Sequence, residues 1–235
     1  NFYISKKYPK SNFTPLANEK NLEVLIAGCG TGQHPIICSQ VITGANILAV
    51  DLSMSSLAYA KRKTIEMGIS SIEYAQADIL KMASLGREFD VIETVGVLHH
   101  LQQPFEGWKA LLSVLKPNGL MRVGLYSELG RKDITKIRKL INQEGIRPTP
   151  GSIRNYRNYL LNLKTIEGIE YVTGGIDFYS MSACRDLIFH VQEHQMQLDL
   201  IGQFLETNQL KFLGLDIDKS SLRAFGLRFP DDPLG

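Results

Sequence analysis

Three glycines, Gly28, Gly30 and Gly32, stand at alternate positions in LIAGCGTG, directly after an apolar run and directly before a helix-length segment. Such a turn lets the backbone bend sharply and approach a ligand without Cβ interference, while the free amides of the helix start face that ligand. A tight strand-to-helix turn with no ligand gives the same cluster. The spacing argues against NAD, because G-x-G-x-x-G needs a glycine at position 33 and Gln33 stands there. Asp51 ends the next apolar run, where a carboxylate can accept hydrogen bonds from both ribose hydroxyls of a nucleoside. Far along the chain, His190, Glu193 and His194 spell H-x-x-E-H, which on a helix would put two zinc ligands and a general base on one face. No third ligand is identifiable, and no metal site is expected. The same residues also fit a packing helix, with Asp186 paired to His190, or the lining of an acceptor pocket.

These residues need elements to hold them. From Asn21 onward, short apolar runs alternate with helix-length segments, the pattern of a doubly wound, mostly parallel α/β sheet. Strands are expected at residues 22–27, 45–50, 72–76, 91–95 and 120–125. Pro35 fits the first turn of one helix, Ser53 caps the next and Gly68 stops it. Pro104 opens a helix carrying Trp108, Leu111, Leu112 and Leu115, and Lys116-Pro117-Asn118-Gly119 reads as a turn. After Tyr126 the texture becomes helical: Ile134, Ile137 and Ile141 mark one helix, Ile153, Tyr156 and Leu160 a second, and Leu187, Ile188 and Val191 a third. This reads as a helical cap inserted after the fifth strand. A helix over 198–207 and a sixth strand over 211–217 return the chain to the sheet; 224–229 reads equally as a seventh strand or a helix. The expected division is an arm over 1–20, a sheet domain over 21–128 and 198–235, and a cap over 129–197.

LIAGCGTG resembles the first motif of the class I S-adenosylmethionine-dependent methyltransferases, of the type 11/12 kind, which have a Rossmann-like sheet. AQADIL around Asp78, FDVIETVGVLHHL at 89–101 and LKPNGLMRV resemble the family's later motifs in the right order, and the resemblance covers 21–128. It implies S-adenosylmethionine as cofactor, with contacts from Ala27, Gly28, Cys29, Gly30 and Gln33 in the first loop and from Asp51 and Leu52 at the ribose. Asp78 would receive the adenine amino group with Ala77 and Ile79 flanking the ring, and Thr94, Val95 and Gly96 would lie near the methionine part. One position departs from the pattern: the family usually has Asp or Glu two residues before the first glycine, helping to hold the cofactor's amino group, and here it is Ile26. DFYSMSACRDLIFHVQEH at 177–194 resembles a segment of bacterial methyltransferases linked to tetratricopeptide repeats. The implied function is methyl transfer to an unidentified acceptor, a protein side chain or a small molecule. Tyr126, Glu193 and His194 are candidate bases or acceptor-positioning groups, and either His99 or His100 points toward the cofactor. A docking or regulatory module that has lost turnover is the rival from another class, with an H-x-x-E-H zinc peptidase behind it. No Asn-Pro-Pro-Tyr or Asp-Pro-Pro-Tyr stretch is present, which disfavours methylation of adenine or glutamine amino groups by that arrangement.

The 235 residues, 44% hydrophobic and 21% charged, exclude a disordered tail or collagen-like chain, and three unevenly spaced cysteines support no disulfide framework. No run is long and apolar enough to cross a bilayer and the start NFYISKKYPK lacks a signal-peptide core, so no membrane partner and a cytoplasmic location are expected. The chain begins with Asn1, which suggests other domains of a longer protein. Between Arg131 and Lys164, nine basic residues, Arg131, Lys132, Lys136, Arg138, Lys139, Arg147, Arg154, Arg157 and Lys164, face two acidic ones. That basic segment suits an acidic acceptor or, less well, a nucleic acid with Tyr156 and Tyr159 for stacking; a solvated helix face is the plainer reading.

Overall fold

The computed structural model describes residues 2–9, 11, 13–16, 20–163, 168–190 and 192–231. The chain divides into two compact units, the first made of Asn1–Leu98, Phe105–Gly124 and Asp199–Gly235, the second of His99–Pro104 and Leu125–Leu198.

In the first unit, β1 (Glu23–Ala27) and β2 (Asn46–Asp51) are buried along nearly their whole length, as strands covered on both faces must be. With β3 (Ile72–Gln76), β4 (Phe89–Val95) and β5 (Leu115–Gly124) they form a five-stranded sheet in the order β3-β2-β1-β4-β5, every pairing parallel. Strand order reverses beside β1, and the carboxyl ends of the strands there are where open α/β sheets hold ligands. Helix α1 (Phe2–Lys7) precedes the sheet, and α2 (Gln33–Val41), α3 (Met54–Glu66) and α4 (Pro104–Leu112) connect its strands. On one face Val24, Ile26, Ile47 and Ala49 cluster with Cys38 of α2 and Leu57 of α3. Ser53 caps α3, its hydroxyl accepting from Ser56 N, and Gly68 follows the helix end at φ 69°. Trp108 of α4 stacks on Phe204 at 4.4 Å and donates its indole N–H to the Met121 sulfur.

Two expectations are corrected in this unit, and a third, left open between two alternatives, is resolved. The turn at 116–119 lies inside β5 as a bulge: pairing jumps from Phe89 opposite Leu115 to Val91 opposite Leu120, with Asn118 at φ 60° and Lys116 Nζ 2.8 Å from Asp90. The run at 211–217 forms no strand. Its Asp216 pairs with Arg122 and Lys7, and Gly214 lies so close to the Tyr8 ring that a methyl there would collide with it. After α9 (Leu198–Thr207), residues 224–229 belong mostly to α10 (Lys219–Arg228), capped by Asp218. Among the described residues no helix is long and apolar enough to cross a membrane.

The second unit is helical, with α5 (Glu128–Gln143), α6 (Pro150–Asn162), α7 (Ile169–Thr173) and α8 (Met181–Phe189). Ser127, Thr149 and Ser180 each cap a helix by accepting a backbone amide from three residues on. Ile134, Ile137 and Ile141 of α5, Ile153, Tyr156 and Leu160 of α6 and Cys184 and Ile188 of α8 form one core; Val191 and Lys164 lie outside the described residues. Tyr156 is therefore buried and takes no part in stacking on a partner, whereas Tyr159 is exposed. Helix α8 stops at Phe189, with His190 extended. The residues that follow pair with other segments: the amide of His194 donates to His99 O and that of Met196 to Tyr126 O, both at 2.8 Å. His190 and His194 consequently do not share a helix face, and the H-x-x-E-H zinc geometry does not form.

Candidate functional site

The loop leaving β1 is held by its own backbone. The amides of Gly28 and Cys29 both donate to Val50 O, at 2.8 and 2.9 Å. Gly28, at φ 82°, rests against Val97 so closely that no side chain fits, while Gly30 has open space where a Cβ would point. Asp51 joins this loop to the end of β2: Oδ2 accepts from Gly30 N and Oδ1 from Ser53 N, each at 2.8 Å. Ala77 N donates to Asp51 O at 3.2 Å, bringing the β3 end alongside, and Asp78 accepts from Leu80 N at 3.0 Å to cap a short 3₁₀ turn, Ile79–Leu85. Leu52 and Val95 are exposed apolar side chains at the ends of β2 and β4, the two strands that flank β1; Ala77 and Asp78 are half-buried, and Ala27 and Ile79 are buried. Gln33 is exposed at the start of α2, and Gly96 adopts φ 77° beyond β4. Thr94 is fully buried, and its hydroxyl has no hydrogen-bond partner. Burial and the Asp51 charge push the Cys29 thiol up to about 12, so it stays protonated. The glycine loop after β1, Asp51 at the end of β2, Asp78 after β3 and Gly96 after β4 thus gather at the carboxyl edge of the sheet, with an open glycine and bare apolar side chains suited to a nucleoside-bearing ligand.

Glu93 escaped the sequence reading. It stands beside Ile26 in the β1–β4 register, so both side chains project from the same face of the sheet. Ile26 is 2% exposed in the apolar cluster, where a carboxylate would be without a partner. Glu93 has partners: His34 Nε2 of the first turn of α2 lies 2.7 Å from its Oε2 and Arg122 Nη1 at 3.1 Å. Burial alone would raise the Glu93 carboxyl, but His34 and Arg122 outweigh it and hold it below the usual range. The available signal was an acidic residue in the middle of the apolar run FDVIETV.

The second unit collects Tyr126, Glu193 and His194 with His99, His100 and Arg131. The Tyr126 ring stacks on His99 at 3.7 Å, and the Arg131 guanidinium lies 3.8 Å over its centroid. Burial pushes the Tyr126 hydroxyl up against the opposing Arg131 charge. His99 is fully buried with neither ring nitrogen hydrogen-bonded, and burial together with His100 brings its pKa down to about 3. Glu193 is buried between Arg131, which reaches both its oxygens, and Arg138 Nη1 at 2.7 Å. Burial would raise this carboxyl, yet the two guanidiniums hold it low. The same arginines donate to the carbonyls of Leu187 and His190, closing the end of α8. His194 Nε2 lies 3.3 Å from Gln192 Nε2. Arg131 and Arg138 are thereby committed internally, Lys136 pairs with Asp133, and Arg157 lies over Phe178; Lys132, Lys139, Arg147 and Arg154 remain as the exposed part of the basic run.

Residues 24–119 match the model of a family described as a methyltransferase domain. An uncharacterized protein of Synechococcus sp. is 30% identical over 203 residues, covering 81% of this chain and 48% of that protein. A ubiquinone biosynthesis O-methyltransferase of Bartonella bacilliformis is 30% identical over 107 residues, 45% of this chain and 42% of its own. Among solved structures, PKMT2 from Rickettsia typhi aligns with a TM-score of 0.73 at 18% identity, over 99% of this chain and 48% of that one, and its complex with AdoHcy with a TM-score of 0.72. The chain spans about half the length of the relatives it matches.

Proposed function

We propose that this chain, which has the Rossmann-like fold of the class I S-adenosylmethionine-dependent methyltransferases, binds S-adenosylmethionine at the carboxyl edge of its sheet and transfers the methyl group to an acceptor. The observation that carries this is Asp51 locking the Gly30 amide while its remaining lone pairs stay available to a ribose diol. When bound, the cofactor supplies a methyl group already made electrophilic by the sulfonium, so the protein has mainly to orient and desolvate. Asp51 binds the ribose hydroxyls, Asp78 the adenine amino group, and Leu52 and Ile79 shield the ring from water. The backbone of Gly28 to Gln33 faces the methionine part, with Val95 at the end of β4 and Gly96 beyond it, while the buried Thr94 hydroxyl lies beneath that surface. Glu93 takes over the duty of the acid absent at Ile26, holding the first turn of α2 through His34 and offering a carboxylate one strand away. This arrangement supports the enzyme reading over the docking-module one, which rested on the departure at Ile26. In the second unit Glu193 serves as an anchor for two arginines and is a poor proton acceptor, which leaves Tyr126 and His194 as acceptor-positioning groups.

Calorimetric titration with S-adenosylhomocysteine tests the reading. Micromolar or tighter affinity, about 8 kcal/mol, is expected, and a folded chain that shows no heat of binding would sink it. Within this site, Glu93→Gln removes the charge that His34 and Arg122 share, and affinity is expected to fall about tenfold at an unchanged unfolding temperature. Asp216→Asn, at the far end of the same ion-pair chain, is the comparison and should bind as the parent does. Equal losses in both variants would assign the network to stability alone.

A further inference from the structure

The second unit brings His100, from the segment after β4, against Asp186 and His190 at the end of α8, some 90 positions along the chain. His100 stacks on His190, ring centroids 3.9 Å apart and planes at 28°, and Asp186 Oδ1 lies 3.7 Å from His190 Nε2. One ligand atom from each of the three lies within 4.8 Å of the others. Tetrahedral zinc with bonds of 2.0–2.1 Å needs its ligand atoms about 3.3 Å apart. Closing to that spacing requires the exposed Asp186 side chain, on the last turn of α8, and the His190 ring, just past the helix end, to rotate toward His100.

The protonation pattern suits ligation. His100 Nδ1 lies 3.1 Å from Gln192 O, and a carbonyl can only accept, so the proton sits on Nδ1 and the lone pair on Nε2. A histidine ligand commonly has its second nitrogen fixed in this way. The Gln192 amide in turn donates to His190 Nδ1 at 3.2 Å. Ligation through His190 Nε2 moves the ring proton to Nδ1 and releases that contact, which gives occupancy a local signature. Glu193 is excluded as a ligand, since Arg131 and Arg138 hold its oxygens.

We propose that His100, Asp186 and His190 form a binding site for one divalent transition-metal ion, with zinc best matched to two imidazoles and a carboxylate. Three protein ligands leave a fourth position for water or an incoming oxygen or nitrogen ligand, the pattern of reactive rather than structural zinc. The set differs from the H-x-x-E-H reading of the sequence: it keeps His190, drops Glu193 and His194, and recruits His100 from the segment after β4.

Calorimetric titration of the chelator-treated chain with zinc chloride, followed by cobalt chloride with visible absorption as readout, tests it. The expected result is one ion per chain at micromolar affinity or better, with the ligand-field bands of tetrahedral cobalt and a shift of the Gln192 amide in nuclear magnetic resonance spectra. His100→Ala and His190→Ala should each weaken binding about hundredfold and the exposed Asp186→Asn about tenfold, while His194→Ala binds as the parent does. Absence of binding at millimolar zinc would overturn the proposal. So would undiminished affinity in Asp186→Asn together with either histidine variant, each of native circular dichroism.

Discussion

Asp51→Ala is expected to reduce S-adenosylhomocysteine affinity by about hundredfold or more, equivalent to ~2.7 kcal/mol. The size follows from two losses at one carboxylate. The ribose hydroxyls lose charge-assisted hydrogen bonds worth about 1.5–3 kcal/mol each, and the Gly30 and Ser53 amides lose the oxygens that fix the loop. The second loss acts before any ligand arrives, because Gly30 at φ 52° has no side chain to hold it in place. Calorimetry on parent and variant measures the first effect, and amide exchange over 28–33 without ligand measures the second. An affinity within about threefold of the parent would remove Asp51 from the cofactor site.

Glu193→Ala is expected to destabilise the second unit by about 3–5 kcal/mol. Arg131 and Arg138 have side chains only 9% and 16% exposed, and the carboxylate between them is 1% exposed, so removal strands two guanidiniums with no water to replace it. Its acid-side behaviour follows from the same pairing. Glu193 is held below its ordinary value in the folded chain, so its contribution is fully present above the unfolded value of about 4.3 and disappears as pH falls through the lower folded value. The parent should therefore lose stability below about pH 4 more steeply than the variant. Urea midpoints at several pH values measure this, and hydrogen exchange over α5 and α8 places the effect in the second unit. A loss under about 1 kcal/mol would mean that water reaches these arginines and that the cluster is worth no more than a surface pair.

The elements that could be read from the chain are those whose causes lie within a few residues. Gly28 permits a conformation that other residues avoid, Ser53 satisfies an amide three positions on, and Val24 to Ala27 is apolar throughout because both of its faces are covered. Such local causes placed all five strands and the helices α2 to α6, and they put Asp51 and Asp78 at strand ends. The run at 211–217 shows the limit: its apolar content suits a strand, but a strand exists only with a partner, and Asp216 goes instead to Arg122 and Lys7. The segment after Phe189 fails as a helix for a related reason, since its amides find His99 O and Tyr126 O across the unit.

By itself, then, the sequence determined the doubly wound order of elements and the glycine turn after β1 with Asp51 at the end of β2, because propensity, capping and glycine freedom act between near neighbours. Only the tertiary structure decided that Glu93 stands beside Ile26 and reaches His34, that Glu193 is clamped by Arg131 and Arg138, and that His100 lies against His190. Those pairings are made between residues dozens of positions apart, and charge or ring contact at that separation depends on strand register and helix packing, which leave no periodic trace in the chain.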